Sequence, residues 1–293
     1  MNFSEKYIKT AQWLLPSPFT LAVLLTFVTA LCALFLTKAQ PGALHVVQIG
    51  QFWTKGFWDL LSFAMQMMLI LVLGHALALT KPIAWVIDLV ANRATSTAKA
   101  AFWVTLTTMI IALLNWGLGL IFGAIVAKKI GDKSLTDRTP INYPLIVACG
   151  YSGLMVWHGG LSGSATLKVT EADHFLVDIL GQIPLSETVF SSLNLWVTLL
   201  LLLIVPAGMA FIGKMSKSTP IDLPLSQPKR SAIHKAIGAE KLDESKVLCR
   251  LFALCMIGMA LYPFFVSHPF EFITLNYINF VLFGLGLWLL GSF

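Results

Sequence analysis

The chain has 293 residues, of which 57% are hydrophobic and only 12% are charged, and its formal net charge is +6. Soluble domains carry about 25% charged residues, so this composition excludes an ordinary water-soluble globule. The basic residues lie between apolar stretches rather than in one patch, which argues against nucleic-acid binding. The four cysteines fall in or beside apolar stretches without metal-ligand spacing and predict no disulfide.

Seven apolar stretches follow one another, and several reach the roughly 20 residues that a helix needs to cross about 30 Å of hydrocarbon. A transmembrane β-strand would instead show about 10 residues of alternating polarity. Because the stretches are continuous, they predict an all-α polytopic membrane protein with about six spanning helices. They cover Pro16–Thr37, Phe57–Thr80, Ala100–Ala127, Tyr143–Leu167, Thr188–Ile212, Val247–Ser267 and Leu275–Phe293.

Two segments between these stretches have a different character. Lys81–Lys99 is short, with apolar residues at roughly helical spacing, and it predicts an amphipathic helix in the membrane interface. Lys214–Lys246 is a polar loop rich in Pro, Ser and Lys. Pro16–Thr37 is long enough to span, and no small-x-small cleavage site follows it. We therefore predict a retained first helix rather than a signal peptide.

The basic residues of the loops predict an orientation, because cytoplasmic loops are enriched in Lys and Arg. If every stretch crossed once from a cytoplasmic N-terminus, the basic loops Lys128–Arg138 and Lys214–Lys246 would both lie outside. Both become cytoplasmic if Ala100–Ala127 enters and leaves on the same side. About 28 residues cannot cross twice, since two crossings need about 40. We therefore predict a re-entrant hairpin with its tip at 115–119, and the alternative is one long kinked helix.

The stretch Tyr143–Leu167 contains five glycines and three serines, many of them within 156–164. Each glycine costs about 1 kcal/mol relative to alanine inside a helix. Irregular backbone at membrane depth occurs only where it is buried in protein or lines a cavity. The pattern predicts a broken helix, and close helix packing through small residues is the alternative.

A hairpin tip and a broken helix are together typical of a mid-membrane site, where helix N-termini direct N–H groups and partial positive charge at an anion. No central span has an interior Lys or Arg, so a carboxylate would bind there without a full counter-charge. The sequence does not decide whether a coupling ion, H⁺ or Na⁺, also binds. The predicted binding residues are Asn115, Gly117, Gly119, His158, Gly159, Gly160, Ser162, Gly163 and Ser164, with Gln66 and His75 as supporting residues.

Sequence motifs for catalysis are absent. There is no phosphate-binding loop, no HExxH and no CxxC, and no span contains two carboxylates, so neither a catalytic site, a cofactor nor a metal site is predicted. A polytopic membrane enzyme is the rival interpretation. The only pair it offers is His174 and Asp178, four residues apart.

Six short segments carry a resemblance: Trp13–Pro16, Gly56–Leu61, Met65–Met67, Gly74–Ala78, Asn115–Leu120 and Ser162–Ser164. Through them the chain resembles the short-chain fatty acid transporter family, the AtoE-type permeases, over essentially its whole length. The resemblance implies an inner-membrane permease for short-chain fatty acids, typically acetoacetate or butyrate. It also implies a distant relation to ion transporters with two inverted repeats, each with a re-entrant hairpin and a broken helix.

Two departures from the family pattern matter. Where members usually carry Trp-Gly-Gly-Gly, this chain has Trp157-His158-Gly159-Gly160, which bears on substrate preference. Members also continue well beyond this length. The resemblance therefore predicts a first repeat at 1–213, a cytoplasmic loop at 214–246 and the start of a second, truncated repeat at 247–293. On this view the chain needs a complementing second half or another copy, and a non-functional permease fragment is the main alternative.

Overall fold

The computed structural model describes residues 6–7, 10, 16–39, 44–217, 245–266 and 272–291. Within these ranges the chain is helical and forms no β-strand, which confirms the all-α class. Six apolar segments of the described chain are long enough to cross a membrane. The helices are α1 Pro18–Leu36, α2 His45–Asp59, α3 Leu61–Ala78, α4 Lys81–Arg93, α5 Thr97–Leu114, α6 Trp116–Asp137, α7 Tyr143–Gly150, α8 Ser164–Lys168, α9 Val177–Leu180, α10 Ser192–Met215, α11 Lys246–Leu261, α12 Pro263–Val266 and α13 Leu275–Leu290.

Residues 1–63 form one compact unit. Its helix α1 is capped by Ser17, whose Oγ accepts a hydrogen bond from the Thr20 N–H at 3.3 Å, and Pro18 takes the first helical position, where its missing N–H costs nothing. No residue of α1 is buried, as expected for an apolar helix surrounded by lipid. The sequence did not predict α2, which ends at Asp59, so the apolar stretch Phe57–Thr80 is divided between two helices.

Residues 64–293 form the second unit, and a helical hairpin lies at its centre. Asn115 alone joins α5 to α6, in an extended conformation with φ −151° and ψ 118°. At the open end, the Asn142 N–H just past α6 donates to Oγ1 of Thr97, the first residue of α5, at 3.1 Å. The chain therefore forms two antiparallel helices here rather than one kinked helix. The hairpin covers 97–137, longer at both ends than 100–127, so its length no longer excludes two full crossings of about 20 residues each. Its re-entrant position in a bilayer stays a prediction.

Helix α4 packs against the open end of this hairpin. The Lys129 ammonium of α6 pairs with the Asp88 carboxylate, and the Lys133 Nζ donates to the Asn92 Oδ1 at 2.9 Å. These partners stabilise the polar part of α6 that lies beyond the apolar stretch. The opposite face of α4 is buried with the hairpin in one hydrophobic core, which includes Ile87, Val90, Ala101, Val104, Phe122 and Ile130.

The stretch Tyr143–Lys168 is divided into short pieces. Helix α7 ends at Gly150, two 3₁₀ turns follow at Ser152–Met155 and Trp157–Gly159, and α8 then begins at Ser164. Glycine also allows close packing here, because a Cβ atom built on Gly123 of α6 would lie 2.1 Å from the Gly150 carbonyl oxygen. The stretch thus combines an interrupted helix with packing through small residues.

The remaining long helices pack on this centre and on each other. Helix α10 lies along α5, and a Cβ atom on Gly213 would be 2.9 Å from the Ala98 Cα. Helices α11 and α13 share a small core, in which the Cys249 Sγ donates to the Leu287 carbonyl at 3.3 Å. The predicted polar loop Lys214–Lys246 lies largely outside the described residues.

Candidate functional site

The tip of the hairpin is organised by Asn115, which is only 1% exposed. Its Oδ1 accepts a hydrogen bond from the Leu118 N–H at 2.6 Å, so Asn115 is the N-cap of the 22-residue helix α6. Helix α3 approaches this capped turn closely, because a Cβ atom on Gly74 would lie 2.4 Å from the Leu118 nitrogen. A side chain at Gly74 would displace α3, so the glycine encloses the tip on one side.

Two hydrogen bonds join the tip to the interrupted stretch. The Trp116 N–H donates to the Ser162 Oγ at 2.8 Å, and the Leu161 N–H donates to the Leu113 carbonyl at 2.7 Å. Ser162 has no exposed surface. The structure therefore brings the two candidate segments, at 115–119 and 156–164, into direct contact.

Two buried N–H donors at the tip have no hydrogen-bond partner: the Asn115 Nδ2 and the Trp116 Nε1. They lie at the N-terminus of α6, where the helix dipole supplies partial positive charge. An unpaired buried donor costs about 1–3 kcal/mol, so an acceptor ligand at this position would be stabilised. The Trp116 ring lies beside that of Trp157, with 5.2 Å between centroids, so an aromatic pair adjoins the donors.

The predicted binding glycines all have close packing partners. A Cβ atom on Gly160 would lie 2.3 Å from the Leu113 carbonyl oxygen, so Gly160 lets the interrupted stretch contact α5. Close packing alone therefore accounts for these glycines, and their binding role stays a prediction. The other built Cβ contacts are Gly117 to the Ile70 oxygen at 2.9 Å, Gly119 to the Ala112 Cβ at 2.7 Å, Gly159 to the Asn194 Oδ1 at 2.5 Å and Gly163 to the His158 oxygen at 2.5 Å.

The remaining candidates are less buried. His158 is exposed, with its ring centroid 3.9 Å from that of Trp157, and His75 is exposed on α3. Ser164 is half-buried at the start of α8. Among the described residues, no hydrogen bond joins these three side chains to Asn115 or Trp116. Their binding role also stays a prediction.

His174, the histidine of the rival enzyme interpretation, is bound on both ring nitrogens. Its Nε2 is 2.9 Å from the Gly181 carbonyl oxygen, and its Nδ1 accepts from the Leu176 N–H at 3.2 Å. His174 is 2% exposed, and its two hydrogen bonds stabilise the loop around α9. A His174–Asp178 catalytic pair therefore has no free ring nitrogen.

Gln66 belongs to a second buried polar group that the sequence did not predict. Its Nε2 donates to the Asn276 Oδ1 at 2.9 Å and to the Glu171 Oε1 at 3.4 Å. The Lys168 ammonium pairs with the other oxygen of Glu171. The only sequence signal for this group was that Glu171 follows Lys168 by three residues at the end of an apolar stretch. The members of the group on α3 and α13 are too distant in sequence to be inferred.

The described residues contain no group of three or more His, Cys, Asp or Glu side chains that is placed to hold a metal ion. The tip offers amide and indole N–H groups, and the group around Gln66 offers amide and carboxylate oxygens. These two kinds of atom suit an anion and a hard cation respectively.

The helical fold and its apolar segments define a polytopic membrane protein whose hairpin tip contacts an interrupted helix. The chain matches the family described as "Short chain fatty acid transporter" over residues 1–292. It belongs to this family, which confirms the resemblance drawn from its sequence motifs. No solved structure matches the chain.

Two relatives show the extent of the similarity. A protein of Escherichia coli (strain K12) named "Putative short-chain fatty acid transporter" is 34% identical over 289 residues, which cover 95% of this chain and 61% of the relative. A protein of the same name in Haemophilus influenzae is 34% identical over 291 residues, which cover 95% of this chain and 62% of the relative. The chain thus spans about three fifths of the length of these relatives.

Proposed function

We propose that this protein is a secondary transporter that moves short-chain fatty acids, such as acetoacetate or butyrate, across the inner membrane. Its family and the names of both relatives support a transporter rather than an enzyme. The six apolar segments of the described chain support a multi-pass position in a bilayer.

The observation that carries the substrate class is the pair of unpaired donors at the hairpin tip, the Asn115 Nδ2 and the Trp116 Nε1. An ionised carboxylate has only acceptor atoms, and its two oxygens match two N–H donors. The rings of Trp116 and Trp157 offer an apolar surface to a short tail. In this proposal the carboxylate binds at the N-terminus of α6, and Ser162 holds the tip against the interrupted stretch.

The proposal includes an orientation in which the N-terminus, Lys81–Lys99 and Lys128–Arg138 are cytoplasmic. The basic-residue rule places the last two segments on the same side. The ion pair between Lys129 and Asp88 supports this assignment, because it joins those segments directly.

Butyrate uptake by Asn115→Asp tests the site. Aspartate keeps an oxygen to accept from the Leu118 N–H, but it replaces the unpaired donor with a negatively charged acceptor. We expect uptake of radiolabelled butyrate into proteoliposomes to fall at least about tenfold, the equivalent of about 1.4 kcal/mol. Asn142→Asp is the matched control, because Asn142 caps α7 by accepting from the Leu145 N–H at 3.2 Å. Uptake by this control should equal that of the wild type.

Uptake is measured with the chain alone and with the chain co-expressed beside the C-terminal part of the Escherichia coli relative. Activity in the second setting only would support a complementing second half as partner. Absence of uptake in both settings would contradict the transport proposal and favour the non-functional fragment. Undiminished uptake by Asn115→Asp would refute the carboxylate site while leaving transport intact.

A further inference from the structure

The buried polar group around Gln66 has unpaired atoms of the opposite kind to those at the hairpin tip. The Gln66 Oε1 and the Asn279 Oδ1 are both buried acceptors without a hydrogen-bond partner. The two residues are 5% and 6% exposed. Unpaired buried oxygens are stabilised by a donor or a cation, whereas an anion would be repelled.

These oxygens lie in one cluster that three elements build. The Asn279 Nδ2 of α13 donates to the backbone carbonyl of Gln66 on α3 at 3.1 Å. The Gln66 Nε2 in turn reaches both the Asn276 Oδ1 and the Glu171 Oε1. Glu171 follows α8 and is 8% exposed, so its carboxylate also lies in this buried cluster.

We propose that the Gln66 Oε1, the Asn279 Oδ1 and the Glu171 carboxylate form a binding site for a monovalent alkali-metal cation, with Na⁺ as the probe. Amide and carboxylate oxygens are the ligands of hard cations. Glu171 is already neutralised by the Lys168 ammonium, so a monovalent ion can take the place of that ammonium without changing the charge around the carboxylate. A divalent ion in the same place would stay undercompensated in a buried site. The inference deepens the proposed transport function. A role for this ion in coupling its own movement to that of the substrate rests on that proposed function.

Lys168 explains how the site keeps its charge balanced. Its ammonium pairs with one oxygen of Glu171, and its side chain is 13% exposed. Lys168 is the only other charged side chain that contacts this carboxylate among the described residues. It therefore acts as a tethered cation that competes with a free ion for Glu171. Entry of Na⁺ displaces the ammonium from the carboxylate toward solvent, which the partly exposed Lys168 side chain can reach, so the buried carboxylate keeps one counter-charge in both states.

The predicted orientation gives the site access from the outer side. From a cytoplasmic N-terminus, α3 enters the bilayer from outside, and Gln66 is the sixth residue of that helix. Lys168 lies in a segment that the basic-residue count places outside, and Asn276 and Asn279 lie in the first turns of α13, which also enters from outside. All three elements thus contribute their outer parts to the cluster.

Binding of radiolabelled Na⁺ to the purified full chain, without any carboxylate substrate, tests the proposal. We expect saturable binding that unlabelled Na⁺ displaces and choline does not, at constant ionic strength. Glu171→Gln should lower the affinity at least about tenfold, because it removes the counter-charge and keeps the shape of the side chain. Glu187→Gln is the matched control on an exposed residue of the same region and should bind as the wild type does.

Lys168→Met separates ion binding from a purely structural ion pair. If the ammonium competes with Na⁺, this variant binds Na⁺ more tightly than the wild type, although it breaks the same ion pair as Glu171→Gln. A structural role predicts that both variants lose stability and that neither gains affinity. Absence of saturable Na⁺ binding by the wild type, or weaker binding by Lys168→Met, would overturn the proposal. Failure of butyrate uptake alone would leave it standing, because the binding assay contains no substrate.

Discussion

The carboxamide of Asn115 has its two ends in different environments. The oxygen caps α6 through the Leu118 N–H, whereas the nitrogen is buried without a partner. A capping role alone would be met by Asp, Ser or Thr as well as by Asn. The unpaired donor is therefore the feature that distinguishes this position from an ordinary N-cap such as Asn142. The Asn142 Oδ1 caps α7 by accepting from the Leu145 N–H, and its backbone N–H donates to Thr97 of α5.

Ser162 has a structural partner that the sequence did not reveal, because its Oγ accepts a hydrogen bond from the Trp116 N–H. Removal of the hydroxyl therefore destabilises the fold as well as the site. In Ser162→Ala the Trp116 N–H loses its acceptor in a buried position, which costs about 1–3 kcal/mol rather than the smaller value of an exchangeable hydrogen bond. We expect a lower melting temperature in detergent together with weakened uptake. Ser164→Ala, on a half-buried residue two positions along, should melt like the wild type. Equal melting of both variants would show that the Trp116–Ser162 bond contributes nothing.

At the scale of elements, α6 and α7 approach each other through a pair of glycines. A Cβ atom on Gly123 would lie 2.1 Å from the Gly150 oxygen, and one on Gly150 would lie 2.8 Å from the Gly123 oxygen. Both contacts are with backbone, which cannot rotate away as a flexible side chain can. This crossing fixes the start of the interrupted stretch against the hairpin.

Gly123→Ala tests the importance of this crossing. Alanine favours the helix by about 1 kcal/mol, but the added methyl group forces α7 away from α6, and overpacking of this kind costs about 1–3 kcal/mol or more. Thermal unfolding in detergent should therefore show a clear loss of stability. Gly208→Ala in α10 is the control, since a Cβ atom there meets nothing within 4 Å. A loss of stability in the control as large as that in Gly123→Ala would contradict the packing explanation.

The length of the hairpin could not be read from hydropathy. The apolar stretch Ala100–Ala127 ends where Lys128 and Lys129 begin, yet α6 continues to Asp137. Helix α4 supplies Asp88 and Asn92 as partners for the lysines of α6. Contacts with another helix thus accompany the polar part of α6, and a single helix examined alone does not contain that information.

At the scale of the whole molecule, the predicted orientation can be tested by labelling introduced cysteines. Asp137→Cys, at the end of α6, and Glu187→Cys place thiols on exposed residues predicted to lie inside and outside respectively, in a background without the exposed Cys32 and Cys255. A membrane-impermeant thiol reagent should label Glu187→Cys in intact cells and Asp137→Cys only after lysis. Ready labelling of Asp137→Cys from outside would contradict the cytoplasmic placement of Lys128–Arg138.

The candidate site was predictable as two segments but not as a set of atoms. The Gly-rich pattern at 115–119 and 156–164 marks the turn at Asn115 and the interrupted backbone of the second segment, and this signal is local in sequence, although Gly117 and Gly119 themselves lie within α6. Which donors are left unpaired depends on partners 46 residues apart, as in the bond from Trp116 to Ser162. Gln66 was identified as a polar residue within a span, whereas its contact with Asn276, 210 residues away, was not.

The sequence by itself determined the helical membrane class, the positions of the apolar stretches and the family. These follow from hydropathy, from the need of backbone groups in lipid to bond within their own segment, and from short motifs that are contiguous in the chain. Only the tertiary structure decided the packing role of the glycines, the division of the Asn115 carboxamide into cap and free donor, and the cluster around Glu171. Each of these depends on atoms that the fold brings together from distant segments, and their energies arise from distances that no local pattern encodes.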